Sequence, residues 1–151
     1  MNRRDALSHS LKVAALLATA GLLPQRALAA YSAAAFDMKS MADVVKALGG
    51  SAPVESKDVT LSGPDIAENG AVVPVAASTT LPGVRKLLIL VEKNPNVLSA
   101  VFDVSDAVEP SFNTRVKMGQ TSNVYAVALM ADGKALYTEK EIKVTLGGCG
   151  G

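Results

Sequence analysis

The sequence predicts an immunoglobulin-like antiparallel β-sandwich of about seven strands, preceded by one short helix and followed by a flexible glycine-rich arm. Three observations carry that fold class. Beyond Ser51, apolar residues recur with a period of two in short β-branched runs. Turn-forming clusters separate the runs at intervals of about ten residues. No long helical pattern lies between the runs, and the strand region covers about 100 residues, the size of such a domain.

Taken in chain order, the first element is an expected export signal over residues 1–29. Arg3 and Arg4 precede the apolar run "LKVAALLATAGLLP", Pro24 closes it, and "ALA" at 27–29 supplies the small residues a signal peptidase needs, placing cleavage near Ala29 and Ala30. The run from Leu11 to Leu23 contains Lys12 and falls short of the roughly 20 apolar residues that span a bilayer. Paired arginines resemble a twin-arginine signal, although Ala6 stands where that pattern wants a bulky apolar residue, so a general secretory signal stays open. Either route leads out of the cytoplasm, and the expected location is a bacterial periplasm.

Residues 37–50, "DMKSMADVVKALGG", carry Met38, Met41, Val45 and Leu48 at spacings of three and four, which predicts an amphipathic helix. Asp37 is the candidate N-cap and Gly49 the candidate C-cap. Its apolar stripe has two uses open to it, packing on its own domain or docking a partner. Candidate strands lie at 57–61, 71–78, 85–92, 97–104, 112–118, 123–131 and 135–146. They are separated by "SGPD", "LPG", "NPN", "DAVEP", "GQTS" and "ADGK", and Asp132-Gly133 reads as a tight hairpin turn that needs positive φ. Alternation places Phe112, Thr114, Val116 and Met118 on one face and Asn113, Arg115 and Lys117 on the other. Likewise Ile142, Val144 and Leu146 oppose Glu141, Lys143 and Thr145. The expected organisation is therefore a signal (1–29), a helix plus sandwich domain (30–146) and a mobile arm (147–151).

Charge and composition exclude most chemistry. Cleavage removes Arg3, Arg4, Lys12, Arg26 and Asp5, taking the 15 basic residues to 11 and the 14 acidic residues to 13, so nothing favours nucleic acid or an anionic membrane. The single histidine, His9, leaves with the signal. A mature chain with no His and one Cys cannot build a histidine-based triad, a His-ligated haem or a zinc site of the usual ligands, and the scattered carboxylates show no metal-ligand spacing. No cofactor is expected. The acidic and amide groups of "AENG" (67–70) and "EKNP" (92–95) read as turn formers.

One concentrated chemical signal remains, the terminal "KVTLGGCGG". Four glycines flank Cys149, and ordering them costs conformational entropy with little return, so Gly147, Gly148, Gly150 and Gly151 form an arm and Cys149 is a thiol carried on it. Counted from Leu146, three residues give a reach on the order of 10 Å. Such an arm is thin enough to enter a narrow channel in another protein. An ordinary thiol with pKa about 8.5 is only a few per cent ionised near neutrality, so activation falls to the partner. The residues also allow Cys149 to form an intermolecular disulfide in a structural or binding sandwich. A final "GG" further resembles ubiquitin-like sulfur carriers, whose cytosolic activation sits badly with an export signal.

"KVTLGGCGG", together with "PDIAENGAVVPV", "LPGVRKLLILVEKNP", "TRVKMGQTSNVYAV" and "KEIKVT" in that order, resembles the SoxY family of sulfur carriers of the bacterial thiosulfate-oxidising Sox system. Departures are small: Leu146 stands where a β-branched residue is common, and the arginine motif is degenerate. The resemblance implies a non-catalytic periplasmic carrier paired with SoxZ, a smaller β-sandwich. It implies that the cysteine at Cys149 is coupled oxidatively to thiosulfate by a SoxXA-type cytochrome and that a SoxB-type hydrolase then releases sulfate. The remaining sulfane sulfur is oxidised further where a sulfane dehydrogenase is present.

Overall fold

The computed structural model describes residues 33–147; the expected export signal and Gly148, Cys149, Gly150 and Gly151 lie outside them. Two short helices come first, α1 (Ala33–Phe36) and α2 (Met41–Ala47). The strands are β1 (Val54–Glu55), β2 (Val59–Ser62), β3 (Ile66–Ala67), β4 (Val73–Thr79), β5 (Val84–Val91), β6 (Leu98–Asp103), β7 (Ser111–Val116), β8 (Ser122–Met130) and β9 (Ala135–Val144). No described helix is long and apolar enough to cross a membrane.

The strands form the two sheets of an immunoglobulin-like sandwich. The larger runs β1-β9-β8-β5-β6, with β3 also paired to β9, and the smaller runs β2-β4-β7. All seven expected strands are present. The two additional ones, β1 and β3, are two residues each and run parallel to β9. Two residues are too few to display a period, which is why the sequence does not announce them.

Burial explains the sequence of β5. Leu87, Ile89 and Val91 enter the core between the sheets with Val73, Val75, Ala77, Val124, Ala126 and Ile142. Leu88 and Leu90 face the other way, into a second core with Ala35, Val44, Val45, Val127 and Leu129. The helices thus cover the outer face of the larger sheet. A strand covered on both faces needs no polar residue in its middle, and "LLILV" contains none. Phe102 of β6 stacks on Phe112 of β7 with ring centroids 4.4 Å apart, joining the edges of the two sheets.

The helix begins later than its sequence pattern indicates. Asp37 is not the N-cap: its amide donates to Ala34 O at 3.2 Å and so belongs to the end of α1. Ser40 caps α2 in extended geometry, its Oγ accepting from the Asp43 amide at 3.2 Å and donating to the Asp43 carboxylate at 2.7 Å. Gly49 comes just after the C-terminus with φ +84°, the left-handed conformation that ends helices. Of the expected stripe, Val45 is fully buried in this chain's own core beside Val44, and Met38, Met41 and Leu48 pack against that core partly buried. The hairpin between β8 and β9 also takes the expected form: Gly133 has φ +86°, its amide donates to Met130 O at 3.0 Å, and Asp132 Oδ1 accepts from the Lys134 amide.

Candidate functional site: the root of the C-terminal arm

The last strand is held to Val144, and the residues immediately after it are not yet arm. Antiparallel pairing with β8 ends at Ile142, opposite Ser122. Beyond that point the chain is received by the segment 65–70 on one side and by 117–121 on the other. The Lys143 amide donates to Asp65 O at 3.0 Å, the Thr145 amide to Ala67 O at 3.1 Å, and Thr145 Oγ1 to Glu68 O at 3.1 Å. The Gly70 amide then donates to Leu146 O at 2.7 Å. From the other side Thr121 Oγ1 accepts the Val144 amide at 2.9 Å. Every backbone group so used would otherwise have to be satisfied by water.

Gly147 completes the root. A Cβ built on it would lie 2.3 Å from Gly119 O, so its backbone is packed directly on that of Gly119. Gly119 is held in turn by Asn94, whose Nδ2 donates to Lys117 O at 2.7 Å and whose Oδ1 accepts from the Gly119 amide at 3.3 Å. The Met118 amide donates to Gly70 O at 2.7 Å, tying the two receiving segments to each other. Glycine at 147 therefore serves close approach, a different purpose from the flexibility its composition implies.

The outer segment has its own anchor. Lys140 Nζ donates to Gly63 O at 2.6 Å and pairs with Asp65 Oδ1 at 2.8 Å. The hydrogen bond and charge of Lys140 hold the Asp65 carboxyl below its ordinary value. Asp65 and Lys140 thus fix the chain as it enters β3, which carries the bonds to the root.

Two expectations change in detail. Alternation places Leu146 inward with Ile142 and Val144, yet it is 66% exposed, because regular strand geometry stops at Val144 and the chain bends to reach Gly70. Reach must also be counted from Gly147 and not from Leu146. Two residues at roughly 3.3 to 3.6 Å each put Cys149 within about 7 Å of Gly147, one side chain short of the sulfur.

Sequence reasoning singled out Cys149 and the glycines and missed the residues that receive them. "AENG" and "EKNP" do form turns, as Asn69 Oδ1 accepting the Ala71 amide at 2.9 Å illustrates. The same segments supply Gly70 and Asn94 to the root. Among the described residues no group of three His, Cys, Asp or Glu side chains is placed to hold a metal ion.

The family model described as "Sulfur oxidation protein SoxY" matches residues 44–149, so its match ends on Cys149. The structure of the sulfur carrier protein SoxY from Chlorobium limicola f thiosulfatophilum is similar at 35% identity and TM-score 0.62, over 69% of this chain and 94% of that one. Two variants of the superoxide reductase (neelaredoxin) from Ignicoccus hospitalis match at 16% and 18% identity with TM-scores of 0.54 and 0.51. They cover 71% and 72% of this chain, and 99% and 90% of theirs. That likeness is one of fold alone. No curated protein sequence matches.

Proposed function

The chain belongs to the SoxY family of sulfur oxidation proteins, and from that premise we propose that it is a non-catalytic, exported carrier that holds thiosulfate-derived sulfur on Cys149. The observation that carries the reading is the family match running to residue 149, over the arm as well as the sandwich. The geometry of the root agrees with it. The backbone of Thr145, Leu146 and Gly147 is held to the domain, so the chain that leads on to Cys149 starts from an anchored base.

The chemistry expected of Cys149 balances in atoms and electrons. Its thiolate and the terminal sulfur of thiosulfate form an S–S bond, giving a cysteine S-thiosulfonate and releasing two electrons to a cytochrome of the SoxXA type. Water then cleaves the bond between the sulfane sulfur and the sulfonate sulfur, releasing sulfate and two protons and leaving a persulfide on Cys149. A metal-dependent hydrolase of the SoxB type performs that step. A SoxZ-type sandwich is the expected permanent partner and the periplasm the expected compartment, with the signal cleaved near Ala29 and Ala30.

Intact-mass analysis of the protein from thiosulfate-grown cells tests the proposal. Thiosulfonate and persulfide adducts are expected on the wild type and none on Cys149→Ser. A native population carrying only free thiol, a glutathione adduct or a covalent dimer refutes it.

A further inference from the structure

Five large apolar side chains are exposed among the described residues; two of them, Ile66 (57%) and Leu146 (66%), belong to the segments bonded together at the arm root, and a third, Val72 (54%), follows directly on one of those segments. Leu146 is itself part of the root. Ile66 lies in register with Lys143, three residues before Leu146. Val72 lies two residues beyond Gly70, whose amide holds the Leu146 carbonyl. Single exposed apolar residues are ordinary on protein surfaces, but three within a few residues of one hydrogen-bonded junction are not.

The short tether gives this cluster an occupant. Because Gly147 is packed on Gly119, any catalytic centre acting on the Cys149 sulfur must come within roughly 10 Å of Gly147, allowing about 7 Å for two residues and a little more for the side chain. No enzyme can approach so closely without laying its surface on the residues around the root. We infer that Ile66, Val72 and Leu146 form an apolar collar on which the enzymes that load and unload Cys149 dock transiently, through channel mouths rimmed with apolar residues. Three side chains cover far less than the roughly 800 Å² that each member of a stable complex contributes, which fits partners that must leave after each turnover and not a permanent subunit. The fringe is polar and mixed in sign, with Asp65 and Lys140 paired and Glu68 and Lys143 exposed, so charge sets no strong preference. The inference rests on Cys149 being the attachment point.

The test uses the full carrier in its native complex, loaded with thiosulfonate, and measures sulfate release by the cognate hydrolase. Leu146→Ser, Val72→Ser and the double variant are compared with Val54→Ser. Val54 is equally exposed at 60% and pairs with Leu136, eight residues down β9 from Val144 and so roughly 26 Å away. The expected result is a fall in kcat/KM of about tenfold or more in the double variant and no change in Val54→Ser. The rate at which a small alkylating reagent labels Cys149 should stay within about twofold, and elution of the carrier complex should be unchanged. Equal kcat/KM in all variants overturns the collar, as does dissociation of the complex in the collar variants, which would assign the patch to the permanent partner. If the wild type takes no sulfur on Cys149, the carrier reading itself fails and the collar falls with it.

Discussion

Replacing Gly147 by alanine puts a methyl group 2.3 Å from Gly119 O and 3.3 Å from its carbonyl carbon. Ordinary van der Waals contact begins near 3.4 Å, so the two backbones must part by about 1 Å. Both are held from behind, Gly119 by Asn94 and Leu146 by the Gly70 amide, and neither can retreat freely. A shift of that size would stretch the 2.7 Å bond from Gly70 to Leu146 O beyond hydrogen-bond range. Losing one such bond costs about 0.5–1.5 kcal/mol, and overpacking typically costs about 1–3 kcal/mol. Against this stands a gain of about 0.4–1 kcal/mol from the less flexible unfolded chain. Net destabilisation of about 0.5–4 kcal/mol is expected, with each kcal/mol lowering Tm by roughly 3–6 °C for a domain of this size. Gly119→Ala is the control, since a Cβ there meets nothing within 4 Å and the variant should be neutral or slightly stabilised. Thermal unfolding by circular dichroism gives the first readout and hydrogen exchange at the Gly70 amide the second. If Gly147→Ala melts at or above the wild-type temperature and keeps Gly70 protected, the root is not pinned as described, and the reach argument fails with it.

Three further outcomes are expected. Leu87→Ala and Leu88→Ala should each cost about 2–5 kcal/mol in urea unfolding, although they point to opposite faces of β5, because both are fully buried; a loss under about 0.5 kcal/mol for Leu88→Ala would mean that the helices do not cover that face. Ser40→Ala should cost about 1 kcal/mol through the lost N-cap of α2, whereas Asp37→Ala should be nearly silent, and the reverse order in denaturant midpoints would restore Asp37 as the cap. Asp65 has a folded pKa below its ordinary 3.8, so its stabilising pair with Lys140 is intact above that value and is lost as pH falls through the lowered one. The stability difference between wild type and Asp65→Asn should therefore be present at pH 7 and shrink below pH 3.8; a difference that grows on acidification would contradict the pairing.

The seven long strands were legible because alternation writes itself into side chains: Phe112, Thr114 and Val116 turn inward while Asn113 and Arg115 stay exposed. The helix was legible as a stripe, but its start was not. Asp37 and Ser40 are both good caps, and α1, which consumes Asp37, is a single turn with no period of its own. β1 and β3 left no trace for the same reason. Cys149 could be singled out by elimination, since the chain expected after cleavage holds no other thiol and no imidazole.

By itself, the sequence determined the seven longer strands, the apolar stripe of the helix and which residue carries the chain's one thiol, because each of these depends on side-chain type along a local stretch. Only the tertiary structure decided where the arm begins. Gly70, Asn94, Gly119 and Gly147 come from distant parts of the chain, and what joins them is largely backbone to backbone. Every residue but proline carries the same amide and carbonyl, so such a meeting has no signature in residue identity, and a glycine needed for close approach reads the same as one needed for freedom.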